Sequence, residues 1–272
     1  MKVALAQIRV EPAAVDANRQ RAVEAIERAA ADGADLVVLP ELFTVGYFAF
    51  DAYARSAEGL GGETLSELAS LAADHDVAVL AGSIVEDLER SARQGREVPA
   101  DSGLANTAAF IDRDGTQRAV YRKHHLFGYG SEETDRLVPG DALPTVEFEG
   151  FTVGVTTCYD LRFPELYREL LDAGVTMTLV PSAWPYPRVE HWRVLPRARA
   201  VENHMYVLAG NGVGEFETST LLGRSTVYDP WGTPVASASD EPALVTATVE
   251  PETVATVREE FPTLTDRRSV DR

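Results

Sequence analysis

The sequence predicts an α/β fold, in which short apolar strands alternate with amphipathic helices. Residues 2–9 alternate like a strand, residues 16–33 repeat apolar side chains with a helical period, and residues 35–40 (DLVVLP) form the apolar run of a strand covered on both faces. The same strand–helix–strand order returns at residues 151–180. A chain of this length fits one large α/β domain or two small ones. Since no linker or change of composition marks a second domain, we expect one domain over residues 1–272.

The elements of the first half follow in order. Asp16 is expected to cap the first helix, which ends near Gly33. The pattern then predicts a helix at residues 63–76, a strand at residues 77–84, and a hairpin of residues 106–112 and 117–122 around the turn Asp114-Gly115. The charged residues 86–103 are interpreted as a surface excursion without a function.

The second half begins with a buried strand at residues 151–157, directly before Cys158. Pro164 suits the first turn of a helix that stops at Gly174, and a second strand follows at residues 175–180. The remaining predictions are a helix at residues 190–203 with Trp192, Leu195, Ala198 and Val201 on one side, strands at residues 206–209, 225–228, 233–236 and 243–249, and a final helix at residues 251–260.

Composition excludes several classes of protein. The net charge of −18 argues against a nucleic-acid backbone as partner. No stretch of 18 apolar residues exists, so we expect no membrane span. The N-terminal residues run directly into a strand and lack a signal-peptide pattern, and one cysteine excludes an internal disulfide framework. We therefore expect a cytoplasmic protein.

Lysine is rare in this acidic chain. Of 25 basic residues, Lys2 and Lys123 are the only lysines. GC-rich coding explains this without functional consequence. Adaptation to high salt is the alternative, because a strongly anionic surface stays soluble there.

Cys158 is a candidate nucleophile because it stands where a strand ends and the connection to a helix begins. Ligands of open α/β sheets bind outside the carboxyl ends of the strands. The alternative is that this residue is a small core hydrophobe, the usual role of a free cysteine.

Two further reactive residues occupy equivalent positions. Glu41 follows the apolar strand DLVVLP, and Lys123 follows the second hairpin strand. A carboxylate can take the thiol proton and later activate water, and a cation lowers the pKa of a thiol. The ammonium of Lys123 and the backbone N–H of Tyr159 suit an oxyanion. If the three strands share a sheet or face each other, these side chains meet at one rim.

The chain resembles the nitrilase superfamily of carbon–nitrogen hydrolases. The matching segments keep the family's order and cover nearly the whole chain: KVALAQIRV, DLVVLPELFTVGY, GGETLSELA, YRKHHLFGYGSEETDRLVPG, VGVTTCYDLRFPELYREL, WRVLPRARAVEN and GRSTVYDPWG. The resemblance implies a four-layer α-β-β-α sandwich with Glu41 as general base, Lys123 as oxyanion-stabilising acid and Cys158 as nucleophile. It also implies an assisting glutamate at Glu133, with Glu132 as the neighbouring alternative, and pairing into at least a dimer.

Within the superfamily, CYDLRFPEL and PSAWPYPR resemble the ω-amidase branch, which releases ammonia from small carboxylated amides such as 2-oxoglutaramate. A carboxylated substrate needs a cation, for which Arg162 is the first candidate and Arg188 the second; the alternative for each is a structural ion pair. Tyr47, Tyr159 and Trp184 are expected to wall the pocket, although aromatic residues at strand ends are often part of the core.

Several other interpretations stay open. The same three residues serve a true nitrilase, which acts on a C≡N group, and an aliphatic amidase or carbamoylase of the same superfamily. A metal hydrolase would use His124 and His125, but adjacent side chains on an extended segment point to opposite faces. A papain-like enzyme would pair Cys158 with His191 or His204, neither of which has a supporting motif. A binding scaffold would keep the fold without the chemistry. The chain has no phosphate loop, dinucleotide fingerprint or metal-ligand spacing, so we expect no cofactor and no metal.

Overall fold

The computed structural model describes residues 1–268. The helices are α1 (Val15–Ala31), α2 (Tyr53–Ser56), α3 (Glu63–His75), α4 (Leu88–Arg93), α5 (Glu133–Arg136), α6 (Pro164–Asp172), α7 (Val189–Asn203) and α8 (Pro251–Glu260). The strands are β1 (Lys2–Gln7), β2 (Leu36–Val38), β3 (Ala78–Leu80), β4 (Ile84–Asp87), β5 (Leu104–Ile111), β6 (Gln117–Arg122), β7 (Thr145–Phe148), β8 (Phe151–Val155), β9 (Met177–Ser182), β10 (Tyr206–Asn211), β11 (Val213–Phe216), β12 (Ser219–Leu222), β13 (Thr226–Tyr228), β14 (Pro234–Ser237) and β15 (Ala243–Thr248).

Two mixed sheets form the centre of the molecule. The first has the strand order β15-β1-β2-β3-β5-β4, with β6 paired to β5, and the second has the order β14-β13-β10-β9-β8-β7. In the first sheet β1, β2 and β3 are parallel, and in the second β8, β9 and β10 are parallel. Each sheet therefore collects the carboxyl ends of three strands at one edge, where side chains from different parts of the sequence can meet.

The two sheets pack face to face, and helices cover their outer faces. Leu36 and Val38 of β2 belong to the core between the sheets together with Val153 and Leu179 of the second sheet. The alternate residue of β2, Val37, belongs instead to the core under helices α1 and α3. Helices α6 and α7 cover the other sheet in the same way. The predicted four-layer α-β-β-α sandwich is confirmed.

A glycine separates β3 from β4, where the sequence pattern predicts one continuous strand. Gly82 has φ +28°, and a Cβ atom on it would lie 2.0 Å from the carbonyl oxygen of Pro40. Only a residue without a side chain allows this backbone approach. Ser83 then donates from its N–H to Pro40 O and accepts from Leu42 N–H at 2.8 Å. This contact fixes the turn that carries Glu41.

Tertiary packing corrects two other predictions and forms one hairpin that the sequence pattern did not indicate. Asp16 lies inside the first turn of α1 and makes no cap, because the helix begins at Val15 after Ala14. The segment 86–103 is not wholly a surface excursion: it contains α4, and Glu86 is buried against the guanidinium of Arg122 and the hydroxyl of Thr107. The pattern also missed the β11–β12 hairpin.

The buried face of α7 differs from the predicted one. The helix buries Trp192, Pro196, Arg199, Ala200 and Asn203 and exposes Val194 and Val201. Arg199 is buried because its guanidinium donates two hydrogen bonds, of 3.0 and 2.8 Å, to the carbonyl oxygen of Leu161, close to Cys158. Along residues 1–268, no helix has both the length and the apolar character needed to cross a membrane.

Candidate active site

Four predicted site residues meet at the facing edges of the two sheets. Glu41 follows β2, Lys123 follows β6 and Glu133 begins α5. The ammonium Nζ of Lys123 lies 2.9 Å from Oε1 of Glu41 and 2.9 Å from both carboxylate oxygens of Glu133. Cys158 follows β8 and lines the same cavity as Lys123. Lys123 and both glutamates are at most 1% exposed, and Cys158 is 8% exposed.

The carboxylate of Glu41 is held by groups from three different segments. Its Oε1 accepts from Lys123 and, at 2.9 Å, from the side-chain amide of Asn106. Its Oε2 accepts a hydrogen bond of 2.9 Å from the backbone N–H of Ala183, directly after β9. Because these donors approach from different directions, the carboxylate has one orientation, and the rim of each sheet contributes to it.

Of the two adjacent glutamates, Glu133 lies in the site. Its Oε2 accepts from the backbone N–H of Phe127 at 2.7 Å and from the hydroxyl of Tyr47 at 3.0 Å. The half-exposed side chain of Glu132 instead pairs with Arg136, one helical turn further on. Of the two candidates in the sequence, only Glu133 therefore contacts Lys123.

Burial sets the protonation states of this cluster. Burial by itself lowers the pKa of Lys123, but Glu133 and Glu41 outweigh it and hold that pKa well above its usual value. Burial and the charge of Glu133 raise the pKa of Glu41, although Lys123 opposes them. Burial and the neighbouring Glu41 also raise the pKa of the Cys158 thiol well above its usual value. Lys123 acts to lower the thiol pKa, as expected, but burial and Glu41 outweigh it, so that the net shift of the thiol pKa is upward. A thiol with a raised pKa needs a neighbouring base, and Glu41 is placed to be that base.

The turn that presents Cys158 is strained and tightly bound. Cys158 has φ +46°, a left-handed conformation that is uncommon outside glycine. The buried carboxylate of Asp160 holds this turn by accepting from the backbone N–H groups of Thr157 and His125, both at 2.9 Å, and from the hydroxyl of Tyr121 at 2.5 Å. Such strain persists only where the surrounding contacts over-determine it.

Three of the four histidines of the rival interpretations have polar contacts with other residues, whereas Nδ1 of His124 is buried without a hydrogen bond among the described residues. The Nδ1 atom of His125 lies 2.9 Å from Asp160, and the ring stacks on Phe163. His191 contacts Arg162, and His204 contacts Thr263. Within residues 1–268, no three His, Cys, Asp or Glu side chains form a cluster that could hold a metal ion.

A cavity of about 320 Å³ opens onto Cys158 and Lys123. All four residues predicted to bind substrate, Tyr47, Tyr159, Arg162 and Trp184, line it, as do Arg188, Phe127 and Tyr129. A cavity of this size, walled by aromatic side chains and a few polar groups, is typical of a site for a small molecule.

Two arginines face this cavity without a carboxylate partner. The guanidinium of Arg162 lies over the ring of Trp184, 4.9 Å from its centroid, and 3.2 Å from Nδ1 of His191. Arg188 lies over the ring of Phe127 at 5.7 Å. In the part of the chain described here, neither guanidinium forms an ion pair with a carboxylate. Burial and the charge of Arg188 lower the pKa of Arg162. Within residues 1–268, the structural ion pairs that the sequence left open for these two arginines are not formed.

Sequence reasoning missed the donors that hold the carboxylates. The backbone N–H groups of Phe127 and Ala183 have no sequence signature, because any residue but proline supplies one. Asn106 does have a signature: it is a lone amide in the otherwise buried and mostly apolar strand LANTAAFI. A polar side chain at such a position needs a buried partner.

The chain is similar in sequence to known carbon–nitrogen hydrolases. The family model described as carbon–nitrogen hydrolase matches residues 2–259. A 2-oxoglutaramate amidase from Paenarthrobacter nicotinovorans is 36% identical over 240 residues, covering 87% of this chain and 79% of that protein. An omega-amidase from Homo sapiens is 33% identical over 277 residues, covering 98% of this chain and 95% of that protein.

A solved structure adds a chemical comparison. The amidase from Nesterenkonia sp. AN1 superimposes with a TM-score of 0.80 at 30% identity, over 97% of this chain and 99% of that one, and its structure contains acrylamide added to the active-site cysteine. The match of fold, sequence and family model extends over nearly the whole chain. The protein belongs to the carbon–nitrogen hydrolase family, within the nitrilase superfamily.

Proposed function

We propose that this protein is an amidase that hydrolyses the terminal amide of a small carboxylated amide, such as 2-oxoglutaramate, to the acid and ammonia. One observation carries the choice of substrate: Arg162 and Arg188 line the same cavity as Cys158, and neither is neutralised by a carboxylate among the described residues. In a chain with 43 acidic side chains, two unpaired guanidiniums in one cavity suit an anionic ligand. The similarity to proteins named 2-oxoglutaramate amidase and omega-amidase supports the same substrate class.

The first half of the proposed reaction forms a thioester. Sγ of Cys158 attacks the amide carbon while Glu41 takes the thiol proton. Burial raises the pKa of both groups, which favours a thiol that gives up its proton to a base during the attack. The ammonium of Lys123 stabilises the oxyanion of the tetrahedral intermediate. The C–N bond then breaks, Glu41 returns its proton to the leaving nitrogen, and ammonia departs.

The second half hydrolyses the thioester. Glu41 takes a proton from a water molecule, whose oxygen attacks the thioester carbon, and Lys123 again stabilises the oxyanion. Collapse of this intermediate breaks the C–S bond, and the proton on Glu41 returns to the sulfur. The net reaction consumes one water and yields a carboxylic acid and ammonia, with no cofactor. Glu133 contributes by holding Lys123 in place with two hydrogen bonds of 2.9 Å.

Ammonia release from a panel of amides and nitriles tests this proposal. The panel contains 2-oxoglutaramate, succinamate, uncharged aliphatic amides and nitriles, at low and at molar salt. Turnover confined to the carboxylated amides supports the proposal. Turnover of nitriles would favour the nitrilase alternative, and inertness of the whole panel at both salt concentrations would contradict an amidase function.

Replacing Arg162 with methionine is expected to raise KM for carboxylated amides by about 10- to 100-fold, since a hydrogen bond to a charged group contributes about 1.5–3 kcal/mol. Turnover of uncharged amides, where measurable, should change little, because they do not use the cation. Arg93→Met is the matched control, since Arg93 pairs with Glu89 on the exposed face of α4 and does not line the cavity. An equal loss for charged and uncharged amides would assign Arg162 a structural role.

The pH dependence of kcat/KM is expected to follow Glu41. The active form has an ionised Glu41 and a neutral thiol, so activity rises as pH increases through the raised pKa of this carboxyl. The midpoint should lie above the usual glutamate value of about 4.3. Because the thiol pKa is also raised, no decline is expected below about pH 8.5. A rate that rises only above pH 8 would show that a preformed thiolate is required.

We also propose that the chain folds as one domain and acts in the cytoplasm.

We propose in addition that the protein pairs with a second copy of itself through α7. Val194 and Val201 on this helix are 57% and 46% exposed, and Trp231 and Phe261 beside Val201 are 46% and 52% exposed. Apolar residues clustered in this way favour an interface. A molar mass near that of the 29.6 kDa monomer in light scattering would contradict the dimer.

A further inference from the structure

Asn106 contacts each of the three charged residues of the site. Its side-chain Nδ2 donates to Oε1 of Glu41 at 2.9 Å and to Oε1 of Glu133 at 3.2 Å. Its backbone carbonyl oxygen accepts from the backbone N–H of Lys123 at 2.8 Å. Asn106 is 1% exposed and does not line the substrate cavity. It therefore acts on the charged residues and has no contact with the cavity.

The charge of the buried cluster explains why a neutral donor is needed there. Lys123 supplies one positive charge, while Glu41 and Glu133 supply two negative charges when both are ionised. Burying an excess negative charge is costly unless hydrogen bonds satisfy it. A primary amide has two N–H bonds and no charge, so it can donate to both carboxylates without adding to their competition for the ammonium.

The other end of the same side chain has no partner. Among the described residues, Oδ1 of Asn106 is buried without a hydrogen bond. Leaving a buried acceptor unpaired is unfavourable. The unpaired Oδ1 destabilises the folded state, whereas Nδ2 donates hydrogen bonds to two carboxylates. This asymmetry indicates that position 106 requires the N–H donor of the amide.

We infer that Asn106 is a positioning residue of the active site, which holds the carboxylates of Glu41 and Glu133 on either side of Lys123 and keeps Glu41 directed as the base. The inference rests on the proposed function, in which Glu41 takes the thiol proton. It assigns Asn106 no contact with the substrate. Its loss should therefore reduce kcat and leave KM nearly unchanged.

Removal of Asn106 should also move the pH profile. The charged and titratable groups that face Glu41 come from several elements: Lys123 after β6, Glu133 on α5, Cys158 after β8, and Tyr47 and Tyr53 near α2. The amide of Asn106 stabilises the ionised form of Glu41, so without it Glu41 binds its proton more tightly. The acidic limb of the activity profile should shift to higher pH.

The test compares Asn106→Leu with Asn203→Leu. Asn203 is a matched control, since it is also a fully buried asparagine with an unpaired Oδ1, but its amide donates to the carbonyl oxygen of Arg199 on α7. For Asn106→Leu we expect kcat to fall about 10- to 100-fold, the loss of a hydrogen bond to a charged group. We also expect the acidic limb to move by at least about half a pH unit, with KM within threefold of wild type. The control variant should keep the wild-type pH profile.

A second variant and a second measurement complete the test. Asn106→Asp keeps the shape of the side chain and replaces the donor with a third carboxyl group, so it should lower kcat at least as much as Asn106→Leu. If the leucine variant does not fold, the aspartate variant tests the inference in its place. The pH dependence of Cys158 alkylation by iodoacetamide reports on Glu41 without any substrate. If wild type releases no ammonia, the proposed function fails, and the alkylation profile still tests Asn106. Unshifted profiles in the Asn106 variants would overturn the inference.

Discussion

Replacing Cys158 with alanine is expected to reduce ammonia release by at least about 10⁴-fold, because the nucleophile that forms the thioester is lost. The fold should persist. The side chain is small and buried next to an open cavity, so we expect the free energy of unfolding to change by about 1 kcal/mol or less. Steady-state ammonia release and thermal unfolding of the purified variant measure the two effects separately.

The single cysteine of the chain offers an independent control. Iodoacetamide should add one carbamidomethyl group to the wild-type protein, detected by intact-protein mass spectrometry, and none to Cys158→Ala. Incubation with a slowly hydrolysed amide should add one acyl group to the wild type alone. If the alanine variant retained even one per cent of the activity, a nucleophile other than this thiol would have to be assigned.

Replacing Lys123 with methionine is expected to reduce both turnover and stability. Turnover should fall by about 10²- to 10³-fold or more, the effect of removing an oxyanion donor. The free energy of unfolding should fall by about 3–5 kcal/mol, because breaking a buried ion pair leaves charges uncompensated. Here the variant leaves two buried carboxylates, Glu41 and Glu133, without their shared cation. Glu41 would then tend to take up a proton, which removes the base as well.

Lys2→Met is the matched control, since Lys2 is the only other lysine of the chain. Its ammonium contacts the carbonyl oxygen of Asp32 at an exposed position, away from the site. Chemical denaturation and ammonia release should distinguish the two variants clearly. Lys123→Met with wild-type stability would contradict the buried charge balance, and wild-type turnover would contradict the role of the ammonium.

The order of strands and helices was predictable because local patterns control it. Residues 35–40 and 151–157 read as strands in the sequence, and β2 and β8 lie within them. Pro164 begins α6 as its restricted φ angle predicts. The errors arose where packing overrode local pattern: Asp16 follows the start of its helix, and Gly82 interrupts a strand because the backbone of Pro40 passes too close for a side chain.

The face of a helix is also decided by packing. The predicted inward residue Val201 is exposed, while Arg199 is buried, because its guanidinium finds the carbonyl oxygen of Leu161 on the turn that carries Cys158. The spacing of apolar residues predicts which face of a helix is buried. It cannot show that a distant segment supplies a hydrogen-bond partner for a polar side chain on that helix.

Residue patterns were enough to predict the α/β class, the three strand ends that carry Glu41, Lys123 and Cys158, and the resemblance to carbon–nitrogen hydrolases. Tertiary structure decided how those residues act on one another. It brings Glu133 to Lys123 in preference to Glu132, places Asn106 beside both carboxylates, and raises the thiol pKa through burial and Glu41, although Lys123 acts to lower it. The physical reason is that hydrogen bonding and desolvation depend on distances of a few ångströms between residues far apart in the chain. Burial also shifts the pKa values of neighbouring charged groups, and the number of charged residues in a sequence does not show this.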